Sequence, residues 1–185
     1  MVARKVIIKA ASEPVTIEEV KIHLRIDDVA EDAYLTRLIK SGTEHIEGYL
    51  QRSIITKTVE AYFSGFQHCM ELPLPNLQVV NSVKYYDCDG NLQTLDPSDY
   101  IVNDLETPSY IYKDSSVCWP STKQVHNAVI INYVCGYGDA TDVPQRVKQA
   151  ILLVIGYLFN NREDHAGKVP TQAENLIDRD RIFKL

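Results

Sequence analysis

At 185 residues, 45% apolar and 24% charged, the chain has the composition of an ordinary globular protein with room for one sizeable domain or two small layers sharing a core. Its 19 Lys and Arg against 25 Asp and Glu leave a formal charge of −6, a poor basis for non-specific binding to nucleic acid, which works by neutralising phosphates. Cys69, Cys88, Cys118 and Cys135 lie far apart with no Cys-x-x-Cys pair, so neither a disulfide framework nor a structural zinc site is indicated.

The opening Met1-Val2-Ala3-Arg4-Lys5-Val6-Ile7-Ile8 holds an apolar run too short for a signal peptide. No window approaches the roughly 18 apolar residues of a membrane span. The expectation is synthesis in the cytosol with reduced thiols. Next, Thr16-Ile17-Glu18-Glu19 has the form of a capping box, with Val15 and Val20 placed as a hydrophobic staple. Ile17, Val20 and Leu24 share the apolar face of a helix that should fade near Asp27-Asp28. A longer helix is predicted over 30–51, with Leu35, Leu38, Ile39, Gly42, Ile46, Tyr49 and Leu50 at helical spacing. Gly42 on that face would admit the close approach of another helix, at a cost of roughly 1 kcal/mol in helix propensity.

From about 54 the period changes. Ile55–Phe63 and Val79–Tyr86 are rich in β-branched and aromatic residues, as strands are. Between them Leu72-Pro73-Leu74-Pro75 cannot sit in a central strand, because proline lacks a donor. Asp87-Cys88-Asp89-Gly90-Asn91 reads as a hairpin turn. Leu92–Leu95, Tyr100–Val102, Tyr110–Tyr112 and Ala128–Val134 add short strands, suggesting a small antiparallel sandwich or barrel-like sheet. A third helix begins near Pro144 and ends at Asn160-Asn161. Val147, Ala150, Ile151, Val154 and Leu158 form one face, and Leu152, Leu153, Ile155 and Phe159 carry the apolar surface nearly all round. Glu163–Lys168 reads as a mobile loop, and Thr171 with Glu174 as a second cap ahead of a charged tail.

These elements amount to an α+β fold: a helical core, with two N-terminal helices and a long C-terminal one, carrying an inserted small antiparallel β domain. The expected divisions are 1–53 for the N-terminal helical portion of the core, 54–138 for the β insertion, 139–169 for the core helix and loop, and 170–185 for a C-terminal segment.

Chemistry is hard to find. Gly136-x-Gly138 follows a strand, but it lacks a third glycine, and Asp139 would repel phosphate, which leaves a turn. His23, His45, His68, His126 and His165 are scattered, with no His-Glu-x-x-His, so no metal is expected. His68-Cys69 could be a catalytic pair only if neighbours in a strand faced the same way, and they do not. The acidic residues Asp27-Asp28, Glu31-Asp32, Asp178 and Asp180 sit at helix ends and in the tail, where solvated charge is the usual role. Eleven tyrosines, among them Tyr85, Tyr86, Tyr110, Tyr112, Tyr133 and Tyr137, could stack on single-stranded nucleic acid. That mechanism needs interleaved Lys and Arg, of which this region has few, so core and interface packing is the better expectation. No cofactor and no enzymatic activity are expected. The alternatives are a tyrosine-based nucleic-acid module and, further off, an enzyme using Cys69 or Cys118.

Glu13-Pro14-Val15-Thr16-Ile17-Glu18-Glu19-Val20-Lys21-Ile22-His23-Leu24-Arg25, with Glu31-Asp32 soon after, resembles the opening of the head-tail connector (adaptor) family of long-tailed bacteriophages and prophages. Leu72-Pro73-x-Pro75, Asp96-Pro97-x-Asp99-Tyr100, Trp119-Pro120, Gly136-Tyr137-Gly138-Asp139, Pro144 with Lys148 and Ala150, and Asn161-Arg162-Glu163 continue the likeness in order. The resemblance implies a structural virion protein at the head-tail junction, made in the bacterial cytoplasm. It implies a ring of about twelve copies, closed by a head-to-tail interface, that extends the DNA channel without binding DNA specifically. Its partners would be the portal protein and the next head-tail or tail completion protein. The family pattern places portal contacts in the C-terminal segment, here Arg179, Arg181, Ile182, Phe183 and Leu185, in a tail that orders on docking. Leu152, Ile155, Phe159, Gly42 and Tyr49 are the matching candidates for contacts between copies.

Overall fold

Lys57–Phe63 (β2) alternates as a half-buried strand must: Val59, Ala61 and Phe63 turn inward, Thr58, Glu60 and Tyr62 outward. In the computed structural model, which describes residues 3–162 and 171–182, this strand belongs to the first of two units, Met1–Ala10 with Thr56–Gly136. The second unit is Ala11–Ile55 with Tyr137–Leu185.

The first unit is built of two antiparallel sheets. The larger has the order β1-β2-β8-β4-β5, from Ala3–Ile8 (β1), β2, Leu77–Tyr86 (β4), Leu92–Thr94 (β5) and Val129–Cys135 (β8). β8 alternates strictly, with Val129, Ile131, Tyr133 and Cys135 fully buried, and it pairs with β2 on one side and β4 on the other. The smaller sheet has the order β3-β7-β6, from Cys69–Glu71 (β3), Tyr100–Asn103 (β6) and Tyr110–Lys113 (β7). Met70, Leu72, Leu74, Leu95 and Ile111 join the inward residues of the larger sheet in one core. The Leu72–Pro75 segment stays outside any strand, as its prolines require, and its polar groups find partners. The Leu74 amide donates to the Tyr133 hydroxyl (3.2 Å), and the Leu72 amide to the Ser109 carbonyl (2.9 Å). The hairpin turn forms as its sequence predicts, with Gly90 at φ +89° and the Asp87 carboxylate accepting from the Asn91 and Asp89 amides.

Two strands depart from the sequence expectation. Ala3–Ile8 falls in the stretch expected to be helical, residues 1–53, yet it pairs antiparallel with β2, from Ala3 opposite Tyr62 to Ile8 opposite Thr58. All six of its residues are exposed, so no inward–outward alternation marks it as a strand. β3, at three residues, is too short to show a period.

The second unit is helical. Ile17–Leu24 (α1) opens on the expected capping box: the Glu19 amide donates to Thr16 Oγ1 (3.2 Å), and the Thr16 amide to Glu19 Oε2 (2.8 Å). It stops short of Asp27 because Arg25 turns left-handed at φ 58°. Asp32–Leu50 (α2) buries Leu35, Leu38, Ile39, Gly42, Ile46 and Leu50, the predicted face apart from the half-buried Tyr49. Gln145–Asn160 (α3) starts directly after Pro144 and buries Val147, Ala150, Ile151, Val154 and Ile155. Thr171–Ile177 (α4) and a 3₁₀ turn at Asp178–Asp180 follow. The predicted mobile loop at 163–168 lies outside the described residues.

Candidate functional site

The Gly136–Asp139 stretch is a turn in this fold. Gly136 and Gly138 have φ near +131° and +135°, which side chains rarely adopt, and the Asp139 amide donates to Asp142 Oδ2 (2.9 Å). That amide, a potential anion ligand, is thus satisfied by a carboxylate inside the chain. Among the described residues no group of His, Cys, Asp and Glu could hold a metal ion.

The cysteines and tyrosines are dispersed. Cys88 and Cys118 are exposed, Cys69 is half-buried and Cys135 is buried. His68 is exposed, while Cys69 sits against Tyr112, and that hydrogen bond, with burial adding to it, pushes the tyrosine up to about 12. Tyr133 is sealed in the β core, where burial pushes its phenol up, and Tyr137 belongs to the helical unit. Tyr110 and Tyr112 share the outer face of the small sheet, 6.0 Å apart. Glu71 and Glu106 lie close enough to push Tyr110 up further, after burial, so a phosphate backbone would meet negative charge there. Tyr133 in the core, Tyr137 in the helical unit and the Tyr110–Tyr112 pair on the small sheet are thus not brought together on one surface.

The C-terminal segment, expected to order only on docking, is folded against its own unit over the described residues 171–182. Ala173 and Ile177 are fully buried. Asp180 takes a two-pronged ion pair from Arg146 (2.5 and 2.8 Å), and Asp178 accepts from the Tyr49 hydroxyl (2.9 Å). Burial first, then that bond to Asp178, pushes the Tyr49 phenol up. The Arg181 guanidinium lies over the Tyr49 ring at 4.6 Å, and the Ile182 amide reaches the Leu50 carbonyl (3.2 Å). Apolar residues at 173 and 177, one helical turn apart, are the signal for this docking, outweighed in the sequence by the tail's charge. Of the candidate portal residues, Arg179 and Arg181 are exposed and Ile182 is half-buried; Phe183 and Leu185 lie outside the described residues.

The candidates for contacts between copies divide in two. Gly42 and Ile155 face each other within the unit: a Cβ on Gly42 would stand 3.1 Å from Ile155 Cγ1. Both are buried, so their close approach is helix against helix inside one chain, and neither offers an outer surface. Leu152, Phe159 and Tyr49 are half-buried and retain one. Phe159 meets Tyr34 at 6.0 Å, and Arg162 lies over both rings while pairing with Glu31 at 3.1 Å.

Comparison with known proteins agrees with the likeness seen in the sequence. The family model described as Phage gp6-like head-tail connector protein matches residues 14–85, from α1 into β4. Three solved structures share the fold. The chain is 18% identical to a protein in the virion of a native gene transfer agent (GTA) particle, with TM-score 0.82 over 98% of this chain and 96% of that one. It is 19% identical to one in the neck of an empty GTA particle computed with C6 symmetry, with TM-score 0.82 over 99% and 97%. The neck of the native GTA particle computed with C12 symmetry holds a third, at 18% identity and TM-score 0.78 over 99% and 97%. No curated protein matches the chain. Over residues 14–85 the chain is thus similar to the phage gp6-like head-tail connectors, and over nearly its whole length it has the fold of GTA neck proteins.

Proposed function

We propose that the chain is a non-enzymatic structural connector of a phage or phage-like particle. It assembles with copies of itself into a ring of about twelve subunits beneath the portal, at the head-tail junction. The carrying observation is the match of fold, over 98% or more of the chain, to proteins of GTA particles, one of them in a neck computed with C12 symmetry. The connector family match over 14–85 supports it independently of fold.

In this role the ring extends the DNA channel, and the acidic net charge limits retention of passing DNA. The half-buried apolar residues of α3, Leu152 and Phe159 among them, with Tyr49 of α2, face a neighbouring copy. Exposed Arg179 and Arg181, with Ile182, Phe183 and Leu185, meet the portal protein, and the opposite rim receives the next head-tail or tail completion protein. The protein is made in the bacterial cytoplasm and ends in the virion.

The test is the particle mass and negative-stain image of the purified chain, alone and mixed with a candidate portal. Rings alone, or rings seated on the portal, are expected. A chain that stays monomeric at high concentration and with the portal overturns the proposal. For the portal contacts, Arg179→Glu is expected to weaken binding at least tenfold with an unchanged melting temperature, and undiminished binding would remove Arg179 from the interface.

A further inference from the structure

Every antiparallel sheet that stays open has two edges, and among the described residues the five-stranded sheet leaves both unpaired: β1 at one side, β5 at the other. Edge strands are ordinarily blunted by proline, charged side chains, bulges or brevity, and β1 has Arg4, Lys5 and a break in register between Val6 and Ile8. β5 is short, but β1 runs six residues, and its Val6, Ile7 and Ile8 are 42%, 43% and 61% exposed. Leu92 on β5 is likewise 50% exposed. An unpaired backbone edge lined with aliphatic side chains is a template for another strand.

The two edges differ in sign. Residues 3–10 contain Arg4, Lys5 and Lys9 and no acid. Residues 87–99, which hold β5 and its flanks, contain Asp87, Asp89, Asp96 and Asp99 and no base. Their local hydrogen bonds hold the Asp87 and Asp96 carboxyls below the usual range, so both stay charged. Glu60 opposite Lys5, and Lys84 and Lys123 beside β5, reduce each charge without reversing it.

We infer that these edges are the two halves of a contact between copies, with β5 of one chain pairing beside β1 of the next, so that the sheets run on from subunit to subunit. The inference rests on the ring reading and names where two subunits join. Strand direction supports a ring over a two-fold dimer. Five antiparallel strands leave β1 and β5 pointing the same way, so a small rotation from copy to copy sets them side by side in parallel. A two-fold axis would instead place β1 against β1, with Arg4 and Lys5 facing their own kind.

Cross-linking decides it. In a background of Cys88→Ser and Cys118→Ser, which removes the exposed thiols, single cysteines are placed at Lys5 or Val6 and, in separate proteins, at Leu92 or Gln93. Disulfides form only where Cα atoms come within about 7 Å, so mild oxidation of pairwise mixtures reports true neighbours. The expected result is a mixed dimer in at least one pairing and a ladder of multimers when both cysteines share a chain. Rings by mass with no mixed disulfide overturn the edge contact and leave the ring standing. A disulfide between two β1 variants overturns it in favour of a two-fold dimer. Monomers with no disulfide sink both proposals.

Discussion

Gly138 shows how much a single hydrogen can decide. At φ +135° it occupies backbone space nearly closed to side chains, and an added Cβ would overlap the Asp142 carboxylate, the acceptor for the Asp139 amide. Gly138→Ala is expected to cost about 2 kcal/mol or more, read as a fall in denaturation midpoint, and adding Asp142→Ala should not restore it because the backbone strain remains. Gly48 makes the opposite case. It sits exposed in α2 with nothing within 4 Å of a new Cβ, so Gly48→Ala is expected to raise stability by about 0.5–1 kcal/mol. Tyr62 carries a pH dependence. Its hydroxyl donates to Glu60 Oε2 at 2.6 Å, and that bond holds the phenol up to about 12. The unfolded chain releases the same proton near pH 10. The folded state therefore holds one more proton between about 10 and 12, and its stability contribution, full below 10, is lost as pH rises through that window. Melting curves of Tyr62→Phe should decline less steeply than wild type over that range; parallel curves would assign the shift elsewhere.

At the scale of elements, legibility in the sequence followed periodicity. α1, α2, α3, β2 and β8 were legible because burial there repeats every 3.6 or two residues, and a capping box or a proline marks the start of α1 or α3. β4 to β7 do not alternate and were legible from β-branched and aromatic residues set between turns. β1 was not, because a wholly exposed edge strand carries no alternation, and its place was set by pairing with residues fifty or more positions away. The C-terminal segment misled for a related reason. Its charges suggested a solvated tail, but Asp178 and Asp180 are spent on Tyr49 and Arg146, and two apolar residues anchor it. Deleting Glu174–Leu185 would therefore strip a buried residue from the helical unit as well as any portal contact. Ile177, fully buried, should cost about 2–5 kcal/mol on truncation to Ala, measured by urea denaturation. A change within ±0.5 kcal/mol would mean that α4 is detached in solution. Of the candidate site, the surplus of apolar surface on α3 was visible in sequence, but which side of it faces inward was not: Ile155 is spent against Gly42.

For the whole molecule, the chain crosses between its two units near residues 10, 55 and 136, so each unit is assembled from segments distant in sequence. Within the β unit, the central strand β8 is bonded on both sides, while β1 and β5 each have one neighbour. Hydrogen exchange should accordingly be slowest at Ile131 and Tyr133 and fastest at Ile7 and Gln93, unless assembly covers the edges. Protection of Ile7 and Gln93 that rises with protein concentration is the expected signature of ring formation.

The position of β8 in the chain has one more consequence. Of the strands in its sheet it is the last to leave the ribosome, yet it is the one that β2 and β4 both need. Until residues 129–135 emerge, the nascent chain can hold only two separate pairs, β1 with β2 and β4 with β5. α1 and α2 wait longer still, for α3 at 145–160. The β unit can therefore close only once β8 is made, and the helical unit only once α3 follows it, so the long-range pairings of each come late in its own synthesis.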